Sequence, residues 1–178
     1  EKRFPLELVN QARSASGVSG AYPLYTELTL SRLKSFGMGA PSKAFPIRSI
    51  GFRLDDPIFS SDRINSQLQK LRLPYAALLD VRSKRDNFPF PTESDEELAK
   101  VQAELADRKI VMVGTFDLGT DFAHDGNLAM SAENFAEYFP QRKQFGDPLS
   151  VVDLGLIHVG DKSRLMDIRD TIDQLLDD

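Results

Sequence analysis

No apolar run in this sequence approaches the ~20 residues that a membrane-spanning helix requires; runs such as 110–113 (IVMV) and 154–157 (LGLI) are strand-sized. The chain must therefore assemble its core from many short elements that share buried faces. Its 178 residues suffice for one compact domain or two small subdomains. At 41% hydrophobic, with 12 Phe and no long low-complexity tract, it has the composition of a folded chain.

Charge and residue usage exclude several function classes. The 22 Lys+Arg against 27 Asp+Glu give a net charge of −5, and the positive residues are scattered among acids, so no face for nucleic-acid phosphates is expected. With no Cys, disulfides, thiolate catalysis and thiolate metal sites are excluded. His124 and His158 are the only imidazoles. The sequence opens at Glu1 without Met or a basic-then-apolar leader and stops after a helical pattern, which points to a segment excised from a longer protein.

Periodicity predicts mixed elements. Pro5 suits a helical first turn, with Leu6, Val9 and Ala12 on one stripe until the Ser/Gly-rich stretch 14–20. Leu24, Leu28 and Leu30 alternate with polar residues as the inward face of a strand, and Ile50, Phe52 and Leu54 do so in a second. Ser61 or Asp62 caps a helix carrying Ile64, Leu68 and Leu71, and residues 76–81 read as a buried strand. Residues 82–97 combine a charged run, prolines around Phe90 and an acidic cluster, which predicts an exposed loop. Residues 101–105 and 110–113 form a hairpin, with a helix over 95–106 as the alternative. Ser131 caps a helix carrying Phe135 and Phe139; residues 151–159 suit a central strand. Asp161 caps a last helix whose Leu165, Ile168, Ile172, Leu175 and Leu176 share a face. Helix–strand at one end and strand–helix at the other give an α+β fold whose ends pack together.

The segment 114–128 gathers Asp117, Asp121, His124 and Asp125. These types suit a hard or borderline divalent ion, but the spacing matches neither a calcium loop nor a helical His pair. The favoured reading is structural: Gly114, Gly119 and Gly126 supply turns while Asp and Asn side chains bond to nearby backbone N–H groups. Neither a phosphate loop nor a nucleophile elbow is present.

The stretch VMVGTFDLGTDFAHDGNLAMS at 111–131, followed by Asn134-Phe135 and by Arg142 after Phe139-Pro140, resembles the extracytoplasmic domain of DevC-family permeases of MacB/FtsX-type ABC exporters. Gly114, Gly119, Phe122, Asp125, Gly126, Asn127 and Ser131 carry that motif and its turns. Further agreement lies in Pro23-Leu24-Tyr25, Gly51-Phe52 before the DPIF of 56–59, Leu79-Asp80 before Arg82-Ser83, and 154–157. The family's strand before the first helix, its strand after the last helix and its Trp-Lys-Asn near 32–35 are absent.

The resemblance implies a MacB-like α+β domain: a porter-like α/β subdomain from 1–42 and 109–178, with a sabre-like insertion over 43–108. It implies no catalysis and no cofactor, a place on the periplasmic side of a bacterial inner membrane, ATP hydrolysis on a separate subunit, a second permease copy, and contact with a periplasmic adaptor protein. Arg82, Lys84, Arg85, Phe88, Phe90 and His124 are the candidate adaptor contacts. Two alternatives are an extracytoplasmic sensor or ligand-binding domain, and a small metal-dependent enzyme using His124 with Asp121 and Asp125.

Overall fold

A computed structural model describes residues 3–36, 43–119 and 124–177. In chain order it contains β1 (Phe4–Pro5), α1 (Leu6–Arg13), β2 (Val18–Glu27), β3 (Arg32–Phe36), β4 (Phe45–Pro46), β5 (Arg48–Phe52), α2 (Asp62–Asn65), β6 (Ala76–Asp80), α3 (Asp95–Lys100), β7 (Gln102–Leu105), β8 (Arg108–Phe116), β9 (Asn127–Ser131), α4 (Ala132–Tyr138), β10 (Val151–Val152), β11 (Leu154–Val159) and α5 (Leu165–Asp177). The mixture is the α+β composition expected, and it divides into two compact units: Glu1–Tyr25 with Gln141–Asp178, and Thr26–Pro140.

The first unit joins both ends of the chain. β1 pairs antiparallel with β10, and β2 with β11. Helix α1, entered through Pro5, buries Val9 and Ala12 and packs against α5 and β11. The phase of β2 is opposite to that expected: Ala21, Pro23 and Tyr25 are buried, while Tyr22 and Leu24 are only half-buried on the other face. The strand begins at Val18 inside the expected loop. It ends at Glu27, whose carboxylate accepts from the N–H groups of Leu28, Thr29 and Leu30 at 3.1–3.2 Å and turns the backbone away, so Leu28 and Leu30 are not strand residues.

Two further expectations in this unit are corrected. The run 151–159 is no central strand: it breaks at Asp153, which pairs with buried Arg142, and β11 lies half-exposed at the edge of its ladder. Asp161 does cap, accepting from Ser163 N at 2.9 Å, but a 3-10 turn over Lys162–Arg164 precedes α5. The start of the expected stripe is therefore displaced: Ile168 is buried and Leu165 is exposed. The side chains of Leu175 and Leu176 lie outside the described residues.

In the second unit the strand order is β5-β9-β6-β8-β7-β3-β4. β5 and β9 are parallel, as are β6 and β8; the remaining ladders are antiparallel. Parallel neighbours need a crossover, and residues 81–94, α3 and β7 supply it between β6 and β8. α2 and α3 pack on β8, α4 on β5 and β9. Every residue of β6 and β9 is consequently buried, and both read as short apolar runs instead of alternating ones.

Local chemistry explains the ends of these elements. Ser131 Oγ accepts from Asn134 N at 3.1 Å to start α4, and Ser94 Oγ from Glu97 N to start α3. Between β7 and β8 a tight turn places Ala106 and Asp107 at φ 49° and 60°. The expected helix over Ile64, Leu68 and Leu71 is interrupted: α2 stops at Asn65 and a 3-10 turn follows at Lys70–Arg72. Arg63 and Gln67 turn their side chains onto Thr115 of β8, the Gln67 amide reaching its carbonyl at 2.9 Å, and the helix yields to that contact.

Candidate functional site

The segments that carry the sequence motif meet at the C-terminal end of β6. Asp80, fully buried, ends that strand and accepts from the N–H groups of Arg82 (3.0 Å), Leu118 (3.4 Å) and Gly119 (3.0 Å) and from Asn127 Nδ2 (2.7 Å). Asn127, equally buried at the start of β9, also donates to Gly119 O at 2.8 Å, and its Oδ1 accepts from Arg48 Nε at 2.7 Å. One carboxylate and one amide thus fasten the loop after β6 to the loop after β8, each buried polar atom spending its capacity on a named partner.

Backbone demands set the glycines around this clasp. Gly119 sits at φ 94°, where a side chain is strained. A Cβ on Gly126 would meet Ser83 Oγ at 2.7 Å and the Phe88 ring at 3.0 Å, so these two side chains of the other loop pack directly on the Gly126 backbone. Gly114 lies within β8 and Ser131 caps α4. Phe122 lies outside the described residues, as does Asp121.

Above the clasp the charged residues are exposed and paired. Arg82 meets Asp117 at 2.6 Å, Lys84 meets Asp125 at 3.8 Å, and Arg85 meets Glu93 at 3.1 Å. Asn87 Nδ2 donates to Asp125 at 2.6 Å, and Lys84 N to the Asp125 carbonyl at 2.7 Å. A backbone hydrogen bond and then Arg85 hold the Glu93 carboxyl below the usual carboxylate range. Asp117 and Asp125 are thus engaged by cations and amides, and among the described residues no three His, Asp or Glu side chains converge on a metal-sized site.

The adaptor candidates separate into two groups. Arg82, Lys84 and Arg85 are exposed and His124 is half-buried. Phe88 and Phe90 are not available to a partner: they are 2% and 4% exposed. The loop expected over 82–97 ends where α3 starts at Asp95, and residues 82–93 are exposed only on their polar side, because two Phe from one charged stretch gain more by burial than by exposure; Phe88 packs edge-on against Phe45, centroids 6.2 Å apart. The sequence marks Asp80 only within the Leu79-Asp80 agreement and gives it no site role, although an Asp closing an otherwise apolar strand is a visible signal of a buried acceptor.

No protein-family model matches the sequence, and no curated protein does. Solved structures do match. The extracellular domain of the noncanonic ABC-type transporter YknZ from Gram-positive bacteria aligns at TM-score 0.53 and 11% identity, over 93% of this chain and 78% of that one. The periplasmic region of MacB from Actinobacillus actinomycetemcomitans aligns at TM-score 0.57 and 14% identity, over 97% and 72%. The chain has the fold of a MacB-like periplasmic domain of ABC-type transporters.

Proposed function

We propose that this chain is the periplasmic domain of an ABC exporter permease of the DevC kind, and that it passes motion driven by ATP hydrolysis on a separate subunit to a periplasmic adaptor protein. The observation that carries the reading is the MacB-like and YknZ-like fold spanning nearly the whole chain. The pairing of β1 with β10 and the packing of α1 on α5 support it, since they bring the first and last described elements into one unit, as a domain held between membrane helices requires.

In this reading residues 1–42 with 109–178 are the porter-like subdomain, residues 43–108 are the sabre-like insertion, and the exposed polar side of 82–93 with His124 faces the adaptor. The domain does no bond chemistry; a second permease copy completes the transporter, which exports a lipid-like or other substrate. The test is a pull-down of the adaptor of the same transporter by the full chain. Retention of the adaptor, reduced when Arg82, Lys84 and Arg85 are reversed to Glu with the thermal transition unchanged, is the expected result; equal retention by the reversed chain contradicts it.

A further inference from the structure

Methionine holds all the sulfur of this chain. With four Met and neither Cys nor Trp, an oxidant meets no thiol or indole before it meets a thioether. The fold treats these thioethers very differently. Met112 in β8 and Met130 in β9 are 0% exposed, each within a paired strand, with Ala77 across from the first and Gly51 across from the second. Met166 is 61% exposed. Met38 lies outside the described residues.

Helical geometry explains that exposure. The face that α5 turns inward is marked by Ile168, 2% exposed, whose Cδ1 would lie 2.7 Å from a Cβ on Gly17. Met166 is the second residue of α5, two positions before Ile168 and so about 200° around the helix from it. Its thioether therefore stands on the outer side, with exposed Asp167, Arg169 and Asp170, and belongs to no core cluster.

We infer that Met166 is a reversible oxidation site that takes an oxygen atom from a peroxide while the core thioethers Met112 and Met130 are spared. The sulfur lone pair attacks one oxygen of hydrogen peroxide, and an S–O bond forms as the O–O bond breaks. The proton on the transferred oxygen passes to the departing hydroxide, which leaves as water; the sulfur gives up two electrons and the peroxide takes them. The product is a polar sulfoxide. On the outer side of α5 its oxygen is hydrated, so the fold is indifferent to it. It also stays open to the reductases that restore the thioether, the oxygen leaving as water while a dithiol becomes a disulfide. At Met112 or Met130 the same oxygen would be buried among apolar groups, and reaching either sulfur requires the sheet to open.

The experiment treats the folded chain with hydrogen peroxide over a time course and reads sulfoxide in tryptic peptides by mass spectrometry. Trypsin separates the sites, since the peptide 165–169 carries Met166 alone and 110–142 carries Met112 and Met130. Met166 is expected to oxidise at least about tenfold faster than the pair in 110–142, whose rate is tied to the opening of buried strands. Unfolding the chain in urea should bring the two rates together. In a Met38→Leu chain, oxidation of Met166 should leave the thermal transition unchanged, and methionine sulfoxide reductases with dithiothreitol should return the 165–169 peptide to its parent mass.

Oxidation of 110–142 as fast as 165–169 in the folded chain overturns the selectivity. A thermal transition that falls on oxidation of the Met38→Leu chain, yet holds when Met166→Leu is added and the same peroxide is given, overturns the harmless placement. A sulfoxide that the reductases leave in place overturns the reversibility.

Discussion

Arg142 is completely buried, and its guanidinium meets the Asp153 carboxylate at 3.0 Å, in a pocket where Arg142 also lies 5.6 Å from the centre of the Tyr25 ring. Arg3 approaches the same carboxylate at 2.9 Å, and Arg142 Nε donates to Pro148 O at 3.2 Å. The pair thereby ties the stretch after α4 to the break between β10 and β11, in the unit formed by the chain's two ends.

Removing one member of such a pair leaves an uncompensated buried charge. Asp153→Ala is expected to lower stability by about 3–5 kcal/mol, read as a fall in the urea midpoint followed by circular dichroism. The double replacement Arg142→Met with Asp153→Leu should cost less than Asp153→Ala alone, because the fully buried charge goes with Arg142 and the charge that remains, on Arg3, is partly exposed to water. A single variant as stable as the parent contradicts the structural role given to the pair.

The turn between β7 and β8 holds two residues other than Gly at positive φ, Ala106 at 49° and Asp107 at 60°. Such hairpin turns favour Asn followed by Gly. The double substitution Ala106→Asn with Asp107→Gly should raise stability by about 1 kcal/mol, from relief of strain at both positions. A drop in the melting temperature of that variant goes against the turn geometry.

Tyr138 predicts an alkaline signature. Burial pushes its phenol well above the usual tyrosine value, against the opposing pull of Arg108, and its hydroxyl donates to the Lys109 carbonyl at 2.5 Å. A group whose folded pKa is raised gives its stabilisation in full below the unfolded value, near 10, and loses it as pH rises toward the folded value. Absorbance at 295 nm should show one tyrosine ionising last, together with unfolding, and Tyr138→Phe should remove that phase and retain more structure at high pH.

At the chain's other extreme of pH, the exposed Asp161 carboxyl is held below its ordinary value, first by the Ser163 hydroxyl and then by the Ser163 N–H. Here the folded pKa is depressed, so the cap helps above the unfolded value and is lost as pH falls through the folded one. Asp161→Ala should therefore loosen the start of α5 at neutral pH, measured by amide exchange over 163–167, and make no difference once the acid is protonated.

Elements written in contiguous residues are legible in the sequence alone. The apolar run of β6, the cap at Ser131, the helix after Pro5 and the hairpin of β7 and β8 each declare themselves within a few residues. What eludes the sequence depends on partners far along the chain. Leu24 reads as inward because β2 offers an apolar residue on both faces, and only its pairing with β11 selects Ala21, Pro23 and Tyr25 for the inside. Phe88 and Phe90 read as exposed because their neighbours are charged, although alternate residues of an irregular loop can face opposite ways.

The candidate site shows the same division. The glycines and Asn127 are visible as a motif, whereas Asp80 and Arg48, which give Asn127 its role, lie 47 and 79 residues away from it. A long-range polar cluster has no period and no spacing to reveal it.

The relay of motion is tested most directly by following ATP hydrolysis and export together in the intact transporter whose permease carries the Glu reversals at positions 82, 84 and 85. Hydrolysis that continues while export falls at least about tenfold is the predicted result for a domain that relays motion. Export at the parental rate, in a permease present at parental levels, contradicts it.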